Sequence, residues 1–105
     1  MSPHSNAEAL YVELCEAGIA VYLKADGSRA MACDPGVSPD PALVTRLKAL
    51  AVPMGNYIRR EWLDTLSRQS PADRATTLRY LKAEGKWTPT DAEIEAYQAE
   101  RKVVA

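Results

Sequence analysis

Residues 15–33 read CEAGIAVYLKADGSRAMAC, and this stretch decides the fold. Before it, apolar residues recur at helical spacing, and Gly18 predicts the end of that helix because glycine tolerates a positive φ. From residue 19 onward apolar and polar residues alternate, which is typical of a strand. Asp26 and Gly27 predict a tight turn, and a second alternating run follows them. The stretch therefore predicts a helix that leads into a two-stranded β-hairpin.

The alternation also predicts which hairpin residues face the core. We expect a two-residue type I′ turn at Asp26 and Gly27, since an aspartate-glycine pair favours that turn. Tyr22 then lies opposite Met31. The core-facing side is expected to contain Ile19, Val21, Leu23, Ala30 and Ala32, and the other side Tyr22, Lys24, Arg29, Met31 and Cys33. A register shift of one residue would exchange the two sides.

Helices are predicted before and after the hairpin. The first covers residues 6–17, with Ser5 and Glu8 as a capping box. After a proline-rich loop, Asp40 is expected to cap a second helix, because a proline follows it at the first helical position. Pro53 either interrupts this helix or opens a third.

Two more helices are predicted near the C-terminus. Ser70 is expected to cap one of them and Gly85 to end it. Thr90 and Glu93 form a further capping box at the start of the last helix. That helix has a thin apolar stripe, so we expect it to dock weakly or to contact a partner.

These elements place the chain in the α+β class. We expect an αββαα unit with a two-stranded antiparallel hairpin over residues 1–68, and a helical C-terminal extension packed on it over residues 69–105. A chain of 105 residues, 47% of them hydrophobic, can form a core without disulfides.

The composition argues against several classes of protein. A formal net charge of −1 does not suit a surface that binds polyanions throughout. No apolar run approaches the roughly 20 residues that cross a bilayer, and the N-terminus lacks the features of a signal peptide. We therefore expect a cytoplasmic protein with no membrane partner.

No catalytic or metal-binding pattern occurs in the sequence. His4 is its only histidine, Cys15 and Cys33 have no metal-ligand spacing, and both thiols are expected to be structural. Neither a glycine-rich phosphate loop nor a Ser/His/Asp set is present. We expect a protein that is not an enzyme, with no catalytic residues, no cofactor and no metal.

A pattern of apolar and turn positions runs through the first sixty residues. It consists of Leu10, Leu14, Gly18, Ile19, Val21, Leu23, Asp26, Gly27, Arg29, Leu43, Leu47 and Ile58. On these positions, residues 6–60 resemble the TubC-type docking domains at the N-terminus of nonribosomal peptide synthetase subunits, and their stand-alone relatives. The resemblance implies an αββαα fold whose hairpin receives a short segment of a partner protein, helped by charged hairpin residues.

The outer side of the hairpin is the main candidate binding site. A two-stranded ribbon leaves backbone groups open at its edges, and an extended peptide can pair with them. Tyr22 and Met31 are expected to anchor the partner, while Lys24 and Arg29 attract acidic groups. The alternative is that the C-terminal helices cover this side, because a two-stranded sheet needs packing support.

Basic and aromatic residues between positions 57 and 87 suggest a second surface. Arg59, Arg60, Arg74 and Arg79 are the candidate contacts to nucleic acid or to an acidic partner. Acidic residues alternate with the basic ones, however, which favours an ordinary solvated helix face.

The expected function is therefore that of a non-enzymatic protein–protein interaction module that captures a partner segment at its hairpin. One alternative is a small phage or mobile-element protein that inhibits a host system, such as a CRISPR–Cas complex, by blocking a surface. The third is nucleic-acid binding through the basic helices, which is the least favoured. A homodimer formed through Tyr22, Met31 and the last helix remains open.

Overall fold

The computed structural model describes the backbone of residues 3–104 and the side chains of residues 5–101. Its elements are α1 Pro3–Glu16, β1 Ile19–Leu23, β2 Arg29–Cys33, α2 Pro41–Ala49, α3 Ala51–Arg68, α4 Pro71–Ala83 and α5 Asp91–Val104. β1 and β2 pair antiparallel in a two-stranded sheet. The predicted α+β class and the order helix, hairpin, helices are confirmed.

The first helix starts earlier than the sequence predicts. α1 begins at Pro3, where the missing N–H of proline costs nothing, so Ser5 lies inside the helix. The predicted capping box of Ser5 with Glu8 is therefore wrong. The predicted end is confirmed, since Gly18 follows the helix with a φ of +81°.

The hairpin loop contains three residues rather than two. The Lys24 N–H donates to the Ser28 carbonyl at 2.8 Å, and the Gly27 N–H donates to the Lys24 carbonyl at 2.8 Å. Gly27 has a φ of +85°, as expected for the last residue of such a loop. Asp26 supports the turn, because its Oδ1 accepts hydrogen bonds from the Ser28 N–H at 2.8 Å and from its Oγ at 2.6 Å. The predicted two-residue type I′ turn is wrong.

The longer loop shifts the strand register by one residue. Met31 lies opposite Val21, and Ala30 lies opposite Tyr22. Residues directly opposite each other share a face of the sheet, so Met31 lies on the core-facing side and Ala30 on the outer side. The side assignment is confirmed for β1, whose predicted core residues are buried, and is reversed for every residue of β2.

α2 and α3 meet at a sharp boundary. Asp40 caps α2, its Oδ1 accepting a hydrogen bond from the Ala42 N–H at 2.9 Å. Leu50 separates the two helices, and Pro53 lies in the first turn of α3, where no intrahelical donor is required. Both the cap and the helix boundary near Pro53 agree with the sequence.

The extension starts and stops its helices with local signals. Ser70 Oγ accepts a hydrogen bond from the Asp73 N–H at 3.2 Å, and Gly85 ends α4 with a φ of +68°. Thr90 and Glu93 form the predicted capping box: each side chain accepts a hydrogen bond from the other residue's N–H, at 3.1 and 3.2 Å. These predictions are confirmed.

The main core lies between β1 and helices α1 to α3. It contains Ala7, Leu10, Leu14, Ile19, Val21, Leu23, Leu43, Leu47, Met54, Tyr57 and Ile58. Leu66, Leu81 and Ile94 are also completely buried but lie outside this cluster, one on each of α3, α4 and α5. The extension therefore packs mainly on the second half of α3. None of the described helices is long and apolar enough to cross a membrane.

Both cysteine side chains lie outside the core. Cys15 and Cys33 are exposed and are not joined in a disulfide. Neither thiol packs into the buried cluster, so neither serves as a small buried hydrophobe, and the prediction that both are structural rather than functional stays a prediction.

Candidate functional site

The hairpin directs its backbone groups in two opposite directions. Even-numbered residues pair the two strands, as shown by the Lys24 N–H on the Ser28 carbonyl and the Asp34 N–H on the Gly18 carbonyl at 2.9 Å. Because this pattern alternates in an antiparallel pair, odd-numbered residues point their N–H and C=O groups away from the neighbouring strand. Each strand therefore has an outer edge formed by its odd-numbered residues.

The outer edge of β2 is open. It is formed by Arg29, Met31 and Cys33, and among the residues that the structure describes no backbone group pairs with it. These three side chains are exposed as well. An edge with unpaired donors and acceptors is a template for another strand.

A groove of about 290 Å³ lies beside this edge, between β2 and α2. It is lined by Arg29, Ala30, Met31, Val44, Leu47, Lys48 and Ala51. The register explains why Met31 contributes: it lies on the core-facing side of β2 yet stays 36% exposed. Arg29 and Lys48 form no ion pair with any described residue. The groove is therefore mainly apolar, with two uncompensated cations.

Sequence reasoning missed the α2 side of this groove. Val44 and Lys48 are one helical turn apart, so they share a face of α2. The sequence shows this spacing, but it does not show that this face of α2 lies beside β2, because that depends on the tertiary fold.

Arg59 supports the hairpin turn from below. Its Nη2 donates to the Gly27 carbonyl at 3.2 Å, and its Nη1 donates to Asn56 Oδ1 at 3.4 Å. Gly55 leaves room for this guanidinium, since a Cβ at residue 55 would lie 3.3 Å from Arg59 Nη1. A Cβ at residue 55 would also lie 3.8 Å from Arg29 Nη1, so the guanidinium groups of Arg29 and Arg59 lie near each other under the turn.

The outer edge of β1 is half covered by the extension. The Ala25 N–H donates to the Gly85 carbonyl at 2.9 Å, and the Trp87 N–H donates to the Leu23 carbonyl at 3.0 Å. Residues 85–87 thus run antiparallel beside the end of β1 as a very short third strand.

Tyr22 and Lys24 contact this segment. The Lys86 ammonium lies over the Tyr22 ring at 5.6 Å from its centroid and over the Tyr80 ring at 5.5 Å. Lys24 lies opposite Lys86 in the short pairing. The four predicted partner-binding residues therefore do not form one surface. Tyr22 and Lys24 lie near the extension, whereas Arg29 and Met31 lie beside α2.

The four arginines of the predicted basic surface point to different parts of the chain. Arg60 lies 3.4 Å from Glu100 on α5, and Arg74 Nε donates to the Leu66 carbonyl of α3 at 3.0 Å. Arg79 is exposed, and Arg59 on α3 donates to the hairpin turn. Three of the four thus contact other elements of this chain.

A second groove lies along the outer edge of β1. It has a volume of about 430 Å³ and is lined by Tyr11, Ala20, Val21, Tyr22, Leu23, Ala32, Ile58, Trp62, Glu84, Lys86 and Trp87. A cavity of about 220 Å³ beside Tyr57 adjoins this groove, and Tyr11, Ile58 and Trp62 line both. Burial raises the pKa of Tyr11 and of Tyr57, and the charge of Glu61 raises both further. Nothing in the sequence pattern indicates this groove, because it depends on how α1, α3 and the extension pack around β1.

Within the described side chains, no group of three or more histidine, cysteine, aspartate or glutamate residues is placed to bind a metal ion. The prediction for His4 falls outside those side chains.

Comparisons with known proteins returned no match: no family model, no curated protein and no solved structure is significantly similar to this chain. The resemblance to TubC-type docking domains stays a prediction.

Proposed function

We propose that this chain is a protein–protein interaction module that binds an extended segment of a partner along the outer edge of β2. The observation that carries the proposal is the open edge formed by Arg29, Met31 and Cys33, with an apolar groove beside it. A peptide that adds to a sheet edge gains affinity from main-chain hydrogen bonds and specificity from alternate side chains. An edge with an adjoining groove offers both.

The chemistry of the groove defines the segment that fits. Met31, Val44 and Ala51 present apolar surface, so every second side chain of the segment should be apolar. Arg29 and Lys48 lie at the same groove without counter-ions. A guanidinium binds a carboxylate through two parallel hydrogen bonds, so acidic residues should accompany the apolar ones.

The proposed site keeps part of the residue set that the sequence suggests. Arg29 and Met31 remain in it, whereas Val44 and Lys48 of α2 take the places of Tyr22 and Lys24. The order helix, hairpin, helices supports the comparison with TubC-type docking domains, in which a partner segment also binds at the hairpin.

Synthetic peptides test this proposal. The probe is a capped seven-residue peptide with valine at positions 3 and 5, glutamate at positions 1 and 7 and threonine between them, so that valine and glutamate share one face of the strand. This peptide, and a matched one with lysine in place of glutamate, are titrated against labelled protein by NMR and calorimetry. We expect the acidic peptide alone to bind, with the amides of Arg29, Met31 and Cys33 shifting most.

Variants then assign the binding to the groove. Lys48→Glu and Met31→Asp should each weaken the acidic peptide about tenfold, roughly the loss of one good charged or apolar contact. Arg79→Glu is the matched control, because it makes the same charge change on α4, outside the groove. Equal weakening by the control, or shifts confined to other elements, would contradict the proposal.

A further inference from the structure

The outer edge of β1 has unpaired backbone groups where the short third strand ends. Val21 is an odd-numbered residue of β1, so its N–H and C=O point away from β2, and neither has a partner in the described part of the chain. The pairing between Trp87 and Leu23 is the last of the third strand. After it the chain turns at Thr88, whose Oγ1 donates back to the Lys86 carbonyl at 3.1 Å. The groove that Val21 lines also includes Lys86 and Trp87 of this short strand.

Aromatic side chains form part of the walls of this groove. Tyr11, Trp62 and Trp87 are half-buried and line the groove of about 430 Å³ that includes Val21. Aromatic surfaces of this kind contribute much of the binding free energy at protein interfaces when a partner buries them completely. The groove therefore combines unpaired backbone groups, which an extended main chain can hydrogen-bond, with aromatic walls, which an apolar side chain can bury.

Two carboxylates lie at the rim of the groove and at the cavity that adjoins it. Glu84 lies on the rim, and Glu61 lines the adjoining cavity; both are exposed, and neither forms an ion pair with a described residue. The nearby cation, Lys86, already lies between the rings of Tyr22 and Tyr80. Glu61 and Glu84 therefore remain available to a cation of a partner.

We propose that this groove is a second docking site, for an extended apolar segment of a partner protein that carries basic residues. The segment continues the third strand along β1: its main chain pairs with Val21, an apolar side chain enters between Tyr11 and Trp62, and a lysine or arginine reaches Glu61 or Glu84. The extension builds this site, since Trp87 and Glu84 belong to it. The proposal is independent of the one for β2, because the two sites use opposite edges and opposite charges.

An extended segment fits better than a small aromatic molecule. A planar ligand would cover the aromatic walls but would leave the N–H and C=O of Val21 unpaired under it. A buried unpaired backbone group costs about as much as a lost hydrogen bond, so the walls and the edge together favour a peptide.

A basic peptide tests the proposal directly. The probe is a capped seven-residue peptide of alternating valine and threonine with a lysine at each end, and its control carries glutamate at each end. We expect the lysine peptide to bind, to slow hydrogen exchange of the Val21 amide at least tenfold at saturation, and to shift the indole resonances of Trp62 and Trp87. The glutamate peptide should do neither.

Charge reversals locate the site. Glu61→Lys and Glu84→Lys should each weaken the lysine peptide about tenfold, whereas Glu95→Lys, an exposed α5 change outside the groove, should leave it unchanged. All three residues are exposed, so the folded state is expected to persist, and circular dichroism checks it. Absence of binding at millimolar peptide, equal binding of the glutamate peptide, or shifts confined to β2 would overturn the proposal. Protection of Val21 without peptide that rises with protein concentration would also overturn it, because a second copy would then cover the groove.

Discussion

Met31 lies directly opposite Val21 across the hairpin, and Tyr22 lies opposite Ala30. This pairing puts Met31 on the side of the sheet that meets α2 and leaves Tyr22 on the other side, under the ammonium of Lys86. One additional loop residue thus separates two side chains that the alternating pattern would place together. The hairpin consequently offers two chemically different edges rather than one binding face.

The first prediction separates these two edges by mutation. Tyr22→Ala should remove the contact with Lys86 and lower the free energy of unfolding by about 1 kcal/mol, while leaving the acidic peptide's affinity unchanged. Met31→Ala should weaken the acidic peptide and leave the free energy of unfolding nearly unchanged, because Met31 is already 36% exposed in the free protein. Urea denaturation and peptide calorimetry measure the two effects. Loss of acidic-peptide binding in a stably folded Tyr22→Ala variant would return Tyr22 to the β2 site.

The second prediction concerns the pH dependence of the hairpin turn. The hydrogen bonds from Ser28 hold the pKa of Asp26 below its ordinary value of 3.8. A carboxyl group with a lowered folded pKa stabilises the fold above its unfolded pKa, and this contribution disappears as the pH falls through the lowered value. NMR titration from about pH 7 to about pH 2 should therefore show the Ser28 amide losing its hydrogen-bonded shift only at the acid end.

Two variants check that assignment. Asp26→Asn should abolish the acid transition of the Ser28 amide, since an amide side chain does not titrate. Asp91→Asn, an exposed change in the first turn of α5, should leave it in place. A Ser28 transition that survives in Asp26→Asn would mean that another group controls the turn.

The helix ends were predictable because each depends on a few neighbouring residues. Asp40 and Ser70 accept hydrogen bonds from N–H groups two or three positions ahead, and Thr90 exchanges them with Glu93. Such geometry is fixed by local sequence. The start of α1 was missed because Ser5 and Glu8 match the capping-box spacing although both lie inside the helix.

The hairpin loop and the two grooves were not predictable in the same way. Asp26 and Gly27 fit both a two-residue and a three-residue loop, because both place glycine at a positive φ. The choice decides the face of Met31, so one local ambiguity changed the whole β2 site. The groove along β1 depends on where Trp87 returns to the hairpin, and that contact spans more than sixty residues of sequence.

The third prediction compares a buried leucine of the main core with a buried leucine outside it. Leu81→Ala and Leu10→Ala each empty a completely buried site and should each cost about 2–5 kcal/mol. Leu10 belongs to the main core, so its loss should speed amide exchange throughout the protein. Leu81 lies outside that cluster, so its loss should speed exchange mainly in α4, α5 and residues 85–87. Uniform acceleration in Leu81→Ala would show that the extension and the hairpin unit unfold together.

The fourth prediction concerns the contact that holds α5 on α3. The Tyr97 hydroxyl donates to Asp64 Oδ1 at 3.0 Å, and burial followed by this hydrogen bond raises the pKa of Tyr97 above 10.0. A raised folded pKa gives stability that is present below the unfolded pKa and is lost as the pH rises through the folded value. Tyr97→Phe should therefore lower the free energy of unfolding by about 0.5–1.5 kcal/mol at neutral pH and by progressively less in alkali.

Tyr80→Phe is the matched control, because Tyr80 is 51% exposed and its ring contact with Lys86 survives the change. Urea denaturation at about pH 7 and about pH 11 measures both variants; an equal loss in the two, or a Tyr97→Phe loss that does not shrink in alkali, would contradict the assignment.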